Sequence, residues 1–339
     1  MKQILQIALM LLLVTFYGVS CTKDTDGSPQ MDAGSMSSGT IDPAEAAGGD
    51  VITLEGVGIG QIHKIVFDKN NVPAPFTPTL NTETHLVFRV PDTAFGGPQN
   101  IVFTNSEGRT LTVPFKVLAY PGVTSAFPTD FVAGTEVTLE GNNLDDVTEV
   151  VFDGTTEAAT IVSKSRKKLV IKMPASNLNR GFLKITNATG SRVTTQEFVN
   201  VSKAATVFSD QLDNGFQSWS WGGDFTASTE ALICGTNGMK AAYDPGGSWG
   251  GMQLGGGAIN LSGYKYFTFW VKGADIDKNV QFWLNWGNQK VITVPANKWT
   301  YFRYELATGY PGVTNVDNVT FQIFDNGKTL YFDNIMFVK

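Results

Sequence analysis

Thr53-Leu54-Glu55-Gly56 and Ile65-Val66-Phe67-Asp68 return further along the chain as Thr138-Leu139-Glu140-Gly141 and Val150-Val151-Phe152-Asp153. Leu86-Val87-Phe88-Arg89-Val90-Pro91 returns as Leu169-Val170-Ile171-Lys172-Met173-Pro174, and Thr104-Asn105 as Thr186-Asn187. The matches keep the same order while their spacing shortens slightly. That is a duplicated module trimmed in its loops. Each copy consists of short runs of Val, Ile, Phe and Thr, with Gly, Asn, Asp and Pro between them. Branched and aromatic side chains suit a pleated, half-buried surface, and the residues between them suit turns. The pattern predicts two tandem β-sandwiches, residues 48–120 and 121–203, joined at Pro121-Gly122.

Residues 204–339 continue as strands without a helical period. Tyr264–Lys272, Val280–Trp286, Val291–Pro295, Trp299–Leu306, Val319–Phe324 and Thr329–Val338 alternate with turns such as Trp286-Gly287-Asn288 and Asp325-Asn326-Gly327. This reads as a third, larger sandwich of jelly-roll type. The whole chain is therefore all-β: two immunoglobulin-like sandwiches followed by a β-jelly roll.

All seven Trp residues of the chain fall between Trp219 and Trp299. The two repeated modules have none and read as spacers. Strand alternation assigns faces in Val280-Gln281-Phe282-Trp283-Leu284-Asn285-Trp286. Val280, Phe282 and Leu284 suit the core, which leaves Trp283 on the outer face between Gln281 and Asn285. Gln322 stands the same way between Phe321 and Ile323. An exposed ring flanked by amides suits a sugar, whose C–H face stacks on the ring while the amides meet its hydroxyls. Trp249 lies in the Gly-rich run Gly246-Gly247-Ser248-Trp249-Gly250-Gly251, which leaves its ring free of neighbours. Trp286, Trp270 and Tyr310 are the further ring candidates. A flat Trp platform favours an extended β-linked chain such as a β-glucan.

The N-terminus reads as an export signal over residues 1–20. Lys2 supplies the charge, Ile4–Val14 the apolar run, and Cys21 follows. Residues 21–47 are mostly Ser, Gly, Asp, Thr and Ala, which predicts a flexible tether. Charged residues make up only 17% of the 339, and the net charge is −6. That balance excludes nucleic acid as a partner, because phosphate binding needs a basic footprint. The basic cluster Lys164, Arg166, Lys167 and Lys168 reads as a solvated hairpin tip. Cys234 has no partner after Cys21, so the fold rests on no internal disulfide, and its setting predicts a buried, inert thiol. His63 and His85 read as surface residues. Glu230 and Glu305 are the Glu residues of the third domain and form no recognisable acid–base pair of the kind glycosidases need.

Several stretches resemble known families. The end of the signal resembles a lipobox, which implies that Cys21 is diacylated and anchors the protein in the outer membrane. Lys23-Asp24 and Asp26 resemble the acidic export signal of Bacteroidetes surface lipoproteins. The strand, Glu-Gly, Phe-Asp, Pro and Thr-Asn order over about Gly48–Val201 resembles the IPT/TIG immunoglobulin-like family. Phe208-Ser209-Asp210-Gln211-Leu212, Gly215, Trp219-Ser220-Trp221-Gly222 and Ser248–Leu254 resemble the opening of a carbohydrate-binding-module jelly roll. Leu330-Tyr331-Phe332-Asp333-Asn334-Ile335 resembles its last strand. That resemblance implies a structural calcium on Asp210 and Asp333 and no catalytic cofactor. Together these features resemble a surface glycan-binding lipoprotein of a Bacteroidetes polysaccharide-utilisation system. Such a protein captures polysaccharide without cutting it and hands it to a glycan transporter complex. The rival expectations are an adhesin that binds protein, and a small glycoside hydrolase or lyase.

Overall fold

The computed structural model describes residues 35–247 and 249–339. The export segment, Cys21 and the first part of the tether lie outside the described residues. The chain divides into two compact units, with the boundary between Leu118 and Ala119.

In the first unit, Val51–Val57 pairs with His85–Arg89 on one side and Ser37–Asp42 on the other. A second sheet holds Ile62–Phe67, Gly97–Asn105 and Thr110–Val117. Leu54, Phe67, Leu86 and Phe103 fill the space between the sheets and are fully buried. The sandwich starts earlier than the sequence predicts. Ser37–Asp42 and Glu45–Ala46 were expected in the tether, yet both are strands, the second running parallel to Lys116–Val117. An edge strand is held by its backbone and needs few apolar side chains. Composition therefore cannot reveal it.

In the second unit, residues 119–203 repeat the pairing of the first sandwich. Leu139 faces Leu169 as Leu54 faces Leu86, and Phe152 faces Leu183 as Phe67 faces Ile101. The repeated Asn has a local purpose. Asn105 Oδ1 accepts the N–H groups of Glu107 and Arg109, and Asn187 Oδ1 accepts those of Thr189 and Gly190. Each closes a turn as a side chain standing in for backbone. The Lys164–Lys168 segment is a hairpin tip, with Ser165 N–H on Lys168 O.

The third domain has strands β1 (Ala205–Phe208), β2 (Gln217–Ser218), β3 (Gly223–Ser228), β4 (Gly238–Tyr243), β5 (Gly251–Asn260), β6 (Tyr266–Lys272), β7 (Lys278–Leu284), β8 (Gly287–Val294), β9 (Trp299–Glu305), β10 (Asn315–Gln322) and β11 (Thr329–Val338). One sheet has the order β3-β4-β11-β6-β9, with β1 also on β11. The other has the order β2-β5-β10-β7-β8. Phe267, Phe269 and Phe332 from the first sheet meet Leu254, Phe282 and Phe321 from the second in one core.

The outer face of the β11-containing sheet is not solvated. Trp270, Tyr266, Tyr301, Met336 and Val338 pack with Val132, Val199 and Val201 of the preceding sandwich. Asp130 of that sandwich is fully buried in this seam and accepts a hydrogen bond from Asn334 Nδ2 at 3.3 Å. Burial pushes the Asp130 carboxyl up to about 8, and does the same to Asp333, to about 7. The folded chain therefore holds protons that the unfolded chain releases near pH 3.8. The unfolded state binds fewer protons across that interval, so stability falls as pH rises from about 4 to about 8. Thermal melts should show this decline in the wild type and a shallower one in Asp130→Asn. Parallel declines in the two proteins would remove Asp130 as the cause.

Candidate functional site

The outer face of the β2-β5-β10-β7-β8 sheet can be laid out by register. Met252, Leu254, Val319, Phe321, Phe282 and Leu284 point into the core, so their strand neighbours point out. One row runs Gly251, Gln322, Gln281, Val291 across β5, β10, β7 and β8. The next runs Gln253, Thr320, Trp283. A third pairs Gly255 with Asn318.

The glycines of this grid are not empty places. The chain continues the β2 pairing past Ser218, with Trp219 N–H on Gln253 O and Trp221 N–H on Gly251 O. That puts Trp219 and Trp221 on one face, and their rings lie across β5. A Cβ at Gly251 would stand 2.3 Å from the Trp221 ring, and one at Gly255 would stand 2.4 Å from the Trp219 ring. Only glycine leaves room for an indole this close to the strand. The Trp221 indole N–H donates to Trp249 O, which pins that ring. Trp249 meets Phe324 edge-on at 5.4 Å. Across the sheet, Trp286 packs against Trp283 at 6.3 Å.

The face therefore has an aromatic rim and a polar floor. Trp219, Trp221, Trp249 and Trp286 are 52%, 36%, 65% and 64% exposed. Gln253, Asn318, Thr320 and Gln322 are buried between them. The structure places the expected residues unevenly. Trp249 and Trp286 stand exposed on the rim. Gln281 and Gln322 lie on the floor, Gln281 Nε2 donating to Gln289 Oε1 and Gln322 Nε2 to Trp249 O at 3.4 Å.

Four expectations are corrected. Trp283 is on the outer face as alternation requires, but it is only 4% exposed, with the Trp286 ring packed against it. Asn285 forms the turn between β7 and β8 together with Trp286, both at positive φ. Its Nδ2 donates to Asn315 O, and its Oδ1 accepts the N–H groups of Asp317 and Asn318, so its amide is committed to the fold. Tyr310 is in the core, edge-on to Phe267 at 6.4 Å. Trp270 is on the opposite sheet, in the seam with the preceding sandwich, where Phe127 meets it edge-on at 5.7 Å.

Trp219, Trp221, Gln253, Asn318 and Thr320 are site residues the sequence reading missed. A signal was present. Trp-x-Trp at period two, together with Gly251 and Gly255 at alternate outward positions of one strand, marks rings lying against a bare backbone.

The acidic residues are placed elsewhere. Asp210 Oδ1 accepts the N–H groups of Thr236 and Asn237. Asp333 accepts the N–H of Ile233 at 2.6 Å and of Asn334 at 2.8 Å. Among the described residues no group of three or more His, Cys, Asp or Glu could hold a metal. As they stand, both Asp210 and Asp333 serve as acceptors for backbone N–H groups. Cys234 is buried, and desolvation pushes its thiol up to about 12. Glu230 is held ionised by Lys240 at 2.6 Å and Tyr331 at 2.5 Å, and Glu305 accepts from Thr308.

Comparison with known proteins bears on the modules around this face. Residues 121–207 match the IPT/TIG domain family. The TIG sandwich is thus the one that seals the back of the jelly roll. No curated protein matches the chain. Among solved structures, the surface glycan-binding protein PbSGBP-B from Prevotella bryantii is similar at 15% identity, over 90% of this chain and 99% of that one, with a TM-score of 0.53. An SGBP-B from a xyloglucan utilisation locus of Bacteroides uniformis is similar at 16% identity, over 90% and 98%, with a TM-score of 0.47. A family 11 carbohydrate-binding module from Clostridium thermocellum covers 40% of this chain and 95% of its own, at 16% identity and a TM-score of 0.30. The likeness to the Prevotella protein shows the fold: an all-β chain of sandwich modules.

Proposed function

We propose that this chain is a non-catalytic, cell-surface polysaccharide-binding protein, and that the Trp-rimmed outer face of the jelly roll is where the glycan lies. One observation carries the reading. Two partly exposed indoles pack directly against glycine positions of a strand, beside a floor of amides and a hydroxyl. Flat exposed rings offer stacking surface for the C–H face of a sugar, and the amides offer donors and acceptors at its edge. Gly251 and Gly255 are four residues apart along β5, so the two rings sit over points roughly 13 Å apart. A ligand that uses both is an extended chain.

The floor side chains Gln253, Asn318, Thr320, Gln322 and Gln281 include no carboxylate to serve as acid or base. That favours capture over cleavage. The fold likeness to a protein described as surface glycan-binding agrees with this reading. Cys21 would hold the chain in the outer membrane, the two sandwiches would lie between anchor and site in chain order, and a glycan transporter complex would receive the polysaccharide.

The test is electrophoresis of the full chain through gels cast with xyloglucan, mixed-linkage β-glucan, mannan and pectin, with reducing ends assayed in parallel. Retardation by at least one polysaccharide with no new reducing ends is expected. Unchanged mobility in every gel would end the glycan reading, and new reducing ends would convert it to an enzyme. Separately, Cys21→Ala should move the protein from the membrane to the soluble fraction. A variant that stays with the membrane would rule out the acyl anchor.

A further inference from the structure

We propose that the indole N–H of Trp283 and the side-chain amide of Asn318 are the donors with which this face reads its ligand, and that the chain they read is uncharged. This rests on the glycan-binding reading and narrows it.

Trp283 and Asn318 are both buried on the outer face. Neither Trp283 Nε1 nor Asn318 Nδ2 has a hydrogen-bond partner. The nearest hydroxyl is already committed. Thr320, directly across from Trp283, gives its hydroxyl to Asn318 Oδ1 at 2.9 Å. Trp286 covers the Trp283 ring with carbon and offers no acceptor there. A buried donor left unmade costs about as much as the hydrogen bond it lacks, and such groups are rare enough in native folds to need a reason. Two of them stand in neighbouring rows of one face, ringed by exposed Trp. The reason that fits is a ligand that brings acceptors and displaces the side chains that shield these two atoms.

Both orphans are donors, so the ligand must present oxygen lone pairs at two points. Sugar hydroxyl and ring oxygens do so without charge. A carboxylate would do so too, but it would sit on a floor of Gln253, Thr320, Gln322, Gln281, Asn318 and Trp283, with no cation among them. Burying it there without a counter-charge is costly, and the net charge of −6 adds repulsion. Trp283 thus differs in role from Trp219 and Trp221. They stack, and it donates from beneath. It is a specificity-determining residue that acts through its indole N–H.

The experiment uses the full chain with a xylogluco-oligosaccharide, a mixed-linkage gluco-oligosaccharide and an oligogalacturonate as probes. Trp283→Phe keeps an aromatic ring but removes the N–H together with the five-membered ring that carries it, at a buried position. It should bind the neutral probe roughly tenfold more weakly, and because the smaller ring leaves a cavity its Tm falls too, so binding is measured well below that Tm. In the wild type, the Trp283 indole N–H resonance should shift and its hydrogen exchange should slow on saturation with that probe. A ring serving only as packing would show neither change. Asn318→Leu, which is close in shape, should weaken binding by a similar factor, and it stands in if Trp283→Phe misfolds.

If wild type binds a neutral probe while both variants bind it equally well and the indole signal stays fixed, the donor assignment is wrong and the glycan-binding reading survives. Tighter binding of the oligogalacturonate than of the neutral probes would overturn the uncharged class. If wild type binds none of the probes, the broader reading fails and this inference fails with it.

Discussion

Replacing Trp219 and Trp221 together with Ala is expected to remove most measurable glycan affinity while leaving the fold intact. Each exposed ring that stacks on a ligand is worth on the order of 1–3 kcal/mol by analogy with other aromatic stacking, or roughly tenfold to a hundredfold in Kd. The two rings lie over separate stretches of β5, and well-separated sites add. The double variant should therefore lose at least about a hundredfold. Stability should change little, because both rings are among the exposed large side chains and neither belongs to the main core. Gly251→Ala should reproduce the Trp221 loss without touching the ligand. Its new Cβ would lie 2.3 Å from that ring and must push it off the strand. Titration calorimetry with the retarding polysaccharide, paired with thermal melts, checks both. A double variant that binds as tightly as wild type would move the site off this face altogether.

Much of the architecture was legible in the sequence, and the reasons are specific. Leu54 and Leu139, or Phe67 and Phe152, sit at equivalent strand positions because a duplicated core must be filled twice. Alternation put Val280, Phe282 and Leu284 in the core as the structure does. Period two fixes a face, however, and cannot fix exposure. Trp283 faces outward and is still buried, because Trp286 at the neighbouring turn packs against it. Trp270 failed for the opposite reason. Its face is outward with respect to the jelly-roll core, but a second domain covers that sheet. Tyr310 follows the short helix Leu306–Gly309, where strand alternation no longer applies. The Trp219 and Trp221 platform was hidden because its signal is split. The rings are in one segment and the glycines that receive them in another, and only strand pairing joins them.

The burial of Trp270 has the largest consequence for stability. Trp270→Ala is expected to cost about 3–5 kcal/mol, as for other buried large-to-small changes. For a cooperative unit the size of residues 119–339 that means a fall in Tm of roughly 10 °C. The ring contacts Phe127 at 5.7 Å and Tyr301 at 5.0 Å, so truncation opens a cavity in the seam between the TIG sandwich and the jelly roll. Polar ties flank it. Glu197 accepts from Arg180 at 3.2 Å and from Arg303 at 2.9 Å, and Arg303 lies 3.6 Å from the Tyr266 ring centroid. The sequence reading treated residues 204–339 as self-sufficient and the sandwich before them as a spacer. The seam argues otherwise. Expressed alone, residues 204–339 would present Trp270, Tyr301, Met336 and Val338 to water, an apolar patch that invites aggregation. Residues 119–339 should instead melt in one transition. Because Trp270 lies on the sheet opposite the Trp219–Trp221 face, the surviving folded Trp270→Ala protein should bind glycan as wild type does. The two double-aromatic-face and seam substitutions thus separate cleanly: one costs affinity at constant Tm, the other costs Tm at constant affinity. An unchanged Tm in Trp270→Ala, or a stable monomeric 204–339 fragment, would show that the seam contributes nothing and that the sandwich is a spacer after all.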